Sequence, residues 1–160
     1  MTSLKTILAA GTIGLTALVT SAHANNKDTV QLFYDFLSNP GSQSHAAAFK
    51  DASADNWESI GNYSGKNKSR DAFIGQLGRF DKLIPDLEWA VEDMIEDGNK
   101  IVVRSRATGT PVAPFFGVDG QGRSFEILTI DIHELEDGVI VRSYHVEDWA
   151  GALQQLRGGL

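Results

Sequence analysis

The sequence predicts an α+β domain in which N-terminal helices pack on an antiparallel sheet. Three observations carry this expectation. Helix-period apolar stripes are confined to the first half of the chain, as in Val30, Leu32, Phe33, Phe36 and Leu37. From Leu87 onward the apolar period drops to two, with Leu87, Trp89 and Val91 alternating against Glu88, Ala90 and Glu92. Two turn signals, Asp97-Gly98-Asn99 and Asp137-Gly138, fall between such runs and mark hairpins. Segregated helices followed by hairpin-linked strands belong to the α+β class, not to a parallel α/β one.

The elements follow in order. Residues Met1 to Ala24 carry one charge, Lys5, then an apolar run from Ile7 to Val19 that ends in Thr20-Ser21-Ala22-His23-Ala24. The small side chains of Ala22 and Ala24 suit a signal peptidase, so 1–24 is expected to be a signal peptide cut before Asn25. The run is short for a membrane anchor and is diluted by Gly11, Thr12, Gly14 and Thr16. Residues 25–160 then form one domain, exported to the periplasm or the medium.

A helix is expected over Asp28–Ser38, stopped by Asn39-Pro40-Gly41, and a short one over Ser44–Asp51. Asn56–Ile60 reads as a brief strand, and Asn62–Lys68 as a polar loop. Ser69–Leu83 is a helix with Phe73, Ile74, Leu77, Phe80 and Leu83 on one side, ended by Pro85. Four strands follow: Leu87–Ile95, Ile101–Thr108, Ser124–Leu135 and Val139–Glu147. A Gly- and Pro-rich loop, Gly109–Gly122, separates the two pairs, and a helix over Trp149–Leu156 closes the chain.

Composition narrows the function classes. The formal charge is −7, and removal of the leader, which holds one lysine and no acid, makes it −8. A net negative surface disfavours nucleic acid and anionic lipid as partners. There is no cysteine, hence no disulfide, thiolate nucleophile, cysteine metal site or lipid anchor on a cysteine. Asp119-Gly120-Gln121-Gly122 has too few acids for a calcium loop, and no histidine pair has the helix spacing of a zinc site. No phosphate loop or Gly-x-Ser-x-Gly elbow is present, so no metal or nucleotide cofactor is expected.

The final hairpin holds the chemistry-bearing residues. A three-residue loop of Glu136, Asp137 and Gly138 would set Leu135 opposite Val139. Asp131 and His145 would then share a face on neighbouring strands, one diagonal step apart; a two-residue loop would put them on opposite faces. The even positions Leu128, Ile130, Ile132, Ile140, Tyr144 and Val146 are mostly apolar, and the odd positions Thr129, Asp131, His133, Val141, Ser143 and His145 are mixed. Core packing favours the even face as the interior, whereas a pocket with convergent polar groups favours the odd one. Both assignments stand at this stage.

The segments IPDLEWAVEDMIEDGNKIVVRSRATGT, FFGVDGQGRSF and IHELEDGVIVRSYHVEDWAGALQQL resemble the SnoaL-like polyketide cyclase (ester cyclase) family, over about Asp28 to Leu156. The resemblance implies a nuclear-transport-factor-2-like cone, in which helices are wrapped by a strongly curved antiparallel sheet enclosing a pocket. It also implies a homodimer and a cofactor-free aldol ring closure. In the family this closure is attributed to an Asp after the Asp-Gly turn, assisted by a His before it. His145 falls at the Asp position and Asp131 at the His position, so the two residue types are exchanged.

A histidine titrating near neutrality can remove a proton beside a carbonyl and return one to an alkoxide, with a carboxylate fixing its tautomer. The candidate catalytic pair is therefore His145 as acid/base and Asp131 as its orienting group. Trp57, Trp89, Phe36, Phe73, Phe115 and Phe116 are candidate walls for a small apolar or aromatic carbonyl ligand. Asn56 and Tyr63 are candidate hydrogen-bonding partners for its carbonyl. His45 is expected to be a solvated surface residue. Two further readings stay open: a periplasmic binding protein with the same pocket and no turnover, and a dimerisation module built on the apolar even face.

Overall fold

The computed structural model describes residues 25–159, so the expected leader at 1–24 lies outside the described residues. Helix α1 spans Asn26–Ser38 and is capped by the Asn25 side chain, which accepts from the Lys27 amide. It buries Val30, Phe33, Tyr34, Phe36 and Leu37, the stripe expected of a 3.6-residue period. Helix α2, Gln43–Ala52, is capped by Ser42 and buries Phe49 and Ala52. Strand β1 (Ser53–Ile60) and the two-residue β2 (Lys68–Ser69) lead into α3, Arg70–Leu83, which Ser69 caps. Strands β3 (Glu88–Asp97), β4 (Lys100–Gly109), β5 (Phe125–Glu136) and β6 (Val139–Glu147) follow, and α4 (Trp149–Leu156) closes the domain.

The six strands form one sheet in the order β2-β1-β6-β5-β4-β3. The meander β3 to β6 is antiparallel, as expected. Two features differ from expectation. β1 begins at Ser53 rather than Asn56 and pairs with β6 in parallel, and β2 adds a short antiparallel edge to β1. The parallel pair gives β6 a partner on the side that a meander alone would leave open. Register shifts within β3/β4 and β5/β6 add the local twist through which a sheet bends around its helices.

The β5/β6 hairpin corrects the expected turn. Glu136 pairs with Val139, so the loop is the two-residue Asp137-Gly138, with both residues at positive φ (50° and 78°). That turn alone would place Asp131 and His145 on opposite faces. Val141 then bulges: Leu135 pairs with Ile140, and Glu134 with Arg142. The extra residue restores the parity, and Asp131 lies directly opposite His145 rather than one diagonal step away.

The mixed face is the interior. Phe125, Ile127, Thr129, Asp131, His133 and Leu135 of β5 are all buried, whereas Leu128 and Val146 are 56% and 70% exposed, and Ile130 and Ile132 are also on the outer face. Phe33, Phe36, Phe49, Trp57 and Phe73 pack ring against ring over the sheet and supply the apolar side of the core. The strand residues beneath them can therefore be polar, provided that they satisfy one another.

Candidate functional site

A cavity of about 240 Å³ lies between α3, α4 and the interior face of the sheet. Its apolar walls come from Leu37 of α1, from Phe73, Leu77 and Phe80 of α3, and from Ile84, Leu87, Trp89, Phe116 and Trp149. Asn62, Lys68, Gln76, His145 and Glu147 are its polar lining, with Gly61 beside them. An apolar hollow with a few convergent polar groups is the usual form of a small-molecule site.

His145 is held at both ring nitrogens. Nδ1 lies 2.8 Å from Glu147 Oε1, and Nε2 lies 2.9 Å from Ser59 Oγ. Glu147 is two residues on along β6, so the pleat turns both side chains to one side of the sheet. An ionised Glu147 accepts the Nδ1 proton, which leaves Nε2 with the lone pair that the Ser59 hydroxyl donates to. The hydroxyl can rotate to accept instead once Nε2 gains a proton. Gly61 makes this arrangement possible: a Cβ there would lie 2.7 Å from His145 Cε1 and 2.9 Å from Nε2.

Ser59, His145 and Glu147 share the connectivity of a serine-hydrolase triad. Ser59 is only 2% exposed and does not line the cavity. An acyl carbonyl has no approach to its oxygen, so its part is to hold the ring. Asn62 is oriented as well. Its Oδ1 accepts from the Ser64 and Gly65 amides at 3.0 and 2.6 Å and from Ser64 Oγ at 3.1 Å. The amide nitrogen is the end left for a ligand oxygen.

Asp131 does not join His145. It is 4% exposed and outside the cavity lining, and its Oδ2 accepts from Tyr34 Oη at 2.7 Å. Tyr34 Oη also lies 3.0 Å from His133 Nε2, while His133 Nδ1 lies 2.8 Å from Ser143 Oγ, which accepts from Trp57 Nε1 at 3.0 Å. Every donor can point one way: Trp57 to Ser143, Ser143 to His133, His133 to Tyr34, Tyr34 to Asp131. Burial pushes the Asp131 carboxyl up to about 7; the Tyr34 hydrogen bond and the nearby His145 pull against this, and Glu147 adds to it. Burial lowers His133 to about 3, reinforced by His145. Tyr34 is raised, by burial first and then by Asp131.

The remaining candidates divide. Trp89, Phe116 and Phe73 line the cavity. Trp57 and Phe36 belong instead to the buried aromatic cluster, because they face the helices rather than the cavity. Phe115 and Phe116 are separated by their turn. Phe115 is buried against Phe125 and Trp149, while Phe116, at φ 45°, turns out to the cavity rim. Asn56 is exposed on β1 and away from the cavity. Tyr63 is 95% exposed and borders a shallow groove beside the cavity, next to Tyr144 and His145. His45 bonds its own helix cap, Ser42.

Sequence reasoning missed Glu147, Ser59, Gly61, Asn62, Lys68, Gln76 and Trp149. For Glu147 a signal existed: His145-x-Glu147 on a strand is a same-face pair. Among the described residues no group of three or more His, Cys, Asp or Glu is placed to hold a metal ion. Among them, too, no helix is long and apolar enough to cross a membrane.

The fold and the cavity together define a nuclear-transport-factor-2-like cone, four helices on a curved six-stranded sheet. The model of the SnoaL-like polyketide cyclase family matches residues 27–156, and the chain belongs to that family. No functionally curated protein matches it. Similar solved structures include IdmH from Streptomyces antibioticus, with a TM-score of 0.72 and 22% identity over 84% of this chain and 99% of that one. TsrD from Streptomyces laurentii has a TM-score of 0.69 and 23% identity, over 84% and 95% of the two chains. A SnoaL-like polyketide cyclase from Agrobacterium tumefaciens strain C58 has a TM-score of 0.65 and 20% identity, over 80% and 94%. At these identities the likeness extends to the fold alone.

Proposed function

We propose that this protein is an exported, cofactor-free lyase or isomerase that performs aldol-type acid/base chemistry on a small carbonyl compound. The observation that carries the proposal is His145, held between Glu147 and Ser59 on the wall of an otherwise apolar cavity. The Ser59 hydroxyl rotates away to free the single Nε2 lone pair, and His145 Nε2 takes a proton from the carbon beside the ligand carbonyl. Glu147 keeps the imidazole oriented and stabilises its cation. The Asn62 amide donates to the oxygen on which enolate charge develops. The enolate carbon adds to a second carbonyl of the same ligand, whose C=O π pair becomes the alkoxide, and the imidazolium returns the proton to that oxygen, which restores the couple.

The test needs no knowledge of the natural substrate. 2-Tetralone is a flat, apolar ketone whose α-protons exchange with deuterium oxide, and proton NMR follows the loss. The wild-type protein should accelerate this exchange, and His145→Gln should lower the rate by about a hundredfold or more. Equal rates for the two proteins would overturn the acid/base role.

A second reading is a periplasmic binding protein with the same cavity and no turnover. It is favoured by Asp131, which is committed to Tyr34 and leaves His145 without the second catalytic group of the family pattern. Retained 2-tetralone binding with exchange at the buffer rate would establish it. Export rests on the leader pattern at 1–24. The expected mature protein begins at Asn25, which intact mass of the protein recovered outside the cytoplasm would check. A homodimer is supported by the exposed apolar residues of the outer sheet face.

A further inference from the structure

We infer that the cavity selects ligands bearing a carboxylate and that Lys68 is the residue that recognises it. This inference rests on the cavity being the ligand site and deepens that proposal by naming the substrate class.

Lys68 is placed by the sheet rather than by a loop. It pairs with Ser59 across β1/β2. Directly opposed residues in an antiparallel pair project to the same face. Ser59 points inward, where its hydroxyl meets His145 Nε2 at 2.9 Å. The lysine is therefore carried onto the face that holds the imidazole, and it is half-buried on the cavity wall.

Its charge is unanswered. Lys50 pairs with Asp71, Lys100 with Glu134, Arg70 with Asp55, Arg106 with Glu92 and Glu126, and Arg142 with Glu134. Lys68 has no carboxylate within ion-pairing distance among the described residues; Lys66, Lys82 and Arg104 are likewise unpaired, but they do not line the cavity. Lys68 is also the only cation among the residues that line the cavity. The only lining carboxylate, Glu147, is occupied by His145. A ligand carboxylate is attracted by the ammonium and repelled by Glu147. That contrast turns the acidic end toward Lys68 and leaves the neutral, reacting end beside His145 and Asn62. Because the protein is acidic overall, no long-range field draws anions in, and the selection is local to this one side chain.

The probes are 2-naphthoate and 2-naphthamide, which share a ring system and nearly a shape but differ in charge. Isothermal titration of the purified protein should give tighter binding of the naphthoate by roughly fivefold to tenfold at low salt. The preference should shrink as sodium chloride is added. The ratio should fall to about one in Lys68→Met and persist in Lys68→Arg. Equal affinities in the wild type, or an unchanged ratio in Lys68→Met, would overturn the inference and leave the cavity assignment standing. Failure of both probes to bind at millimolar concentration would remove the cavity assignment and the inference with it.

Discussion

Asp131 and His145 stand directly opposite each other across β5 and β6, both turned to the interior, yet each is bonded into a different network. His145 bridges Glu147 and Ser59 on the cavity wall. Asp131 ends a buried chain running from Trp57 through Ser143, His133 and Tyr34. The first network borders the cavity, where the proposed proton transfer would take place. The second is sealed, and its consequences are for stability.

Those consequences have opposite signs. Asp131 is raised from 3.8 to about 7, so between these values the folded protein holds a proton that the unfolded chain has released. Stability due to this group is greatest below about pH 4 and is lost as pH rises to about 7. His133 is lowered from 6.5 to about 3, so there the unfolded chain holds the extra proton. Its contribution is present above pH 6.5 and is lost as pH falls toward 3. Between about pH 4 and 6.5 the two slopes oppose each other. Relative to wild type, Asp131→Asn should make stability rise more steeply with pH in that window, and His133→Gln should make it fall. Urea unfolding from pH 4 to 7.5 checks both signs, with Tyr34, Glu147 and His145, the groups that face this pair, left unmutated in both variants.

Gly61→Ala should separate site geometry from folding. The added Cβ would meet the imidazole at 2.7 Å, and ordinary contacts do not come so close. The ring must swing away from Ser59. Exchange activity should fall by on the order of a hundredfold, and the melting temperature should move little, because Gly61 is exposed and has ordinary backbone geometry. The histidine side-chain resonances of His145, and not those of His133, should shift.

The outer face of the sheet offers Leu128, Ile130, Ile132 and Val146, all exposed, as a contiguous apolar surface. The proposed homodimer would bury this surface. Light scattering at micromolar concentration should give a dimer for the wild type. The double variant Ile130→Lys, Val146→Lys should give a monomer with unchanged secondary structure. A wild-type monomer would contradict the homodimer.

Much of this architecture was legible in the sequence, for physical reasons that can be named. Stripes on α1 and α3 and the alternation through β3 to β6 announce their periods directly. β2 has only two residues and thus no period, and the parallel β1/β6 pair joins segments with no turn between them. The interior face of β5 was ambiguous because Phe33, Phe36 and Phe73 supply the apolar side of the core, which frees Thr129, Asp131 and His133 to be polar. Asp137-Gly138 signals a hairpin, but the bulge at Val141 has no residue signature, so parity could not be counted from the turn alone. The expected three-residue loop and the observed two-residue turn with its bulge give the same parity, so Asp131 and His145 share a face in either case. His145 takes Glu147, two positions along its own strand, as partner because the facing Asp131 is already bonded to Tyr34.

The most direct measurement ranks the two carboxylates in the 2-tetralone exchange assay. If the proton carrier is an imidazole oriented by Glu147, Glu147→Gln should slow exchange by at least about tenfold, and Asp131→Asn should leave the rate near that of the wild type. A large loss in Asp131→Asn together with an unaffected Glu147→Gln would contradict the assignment.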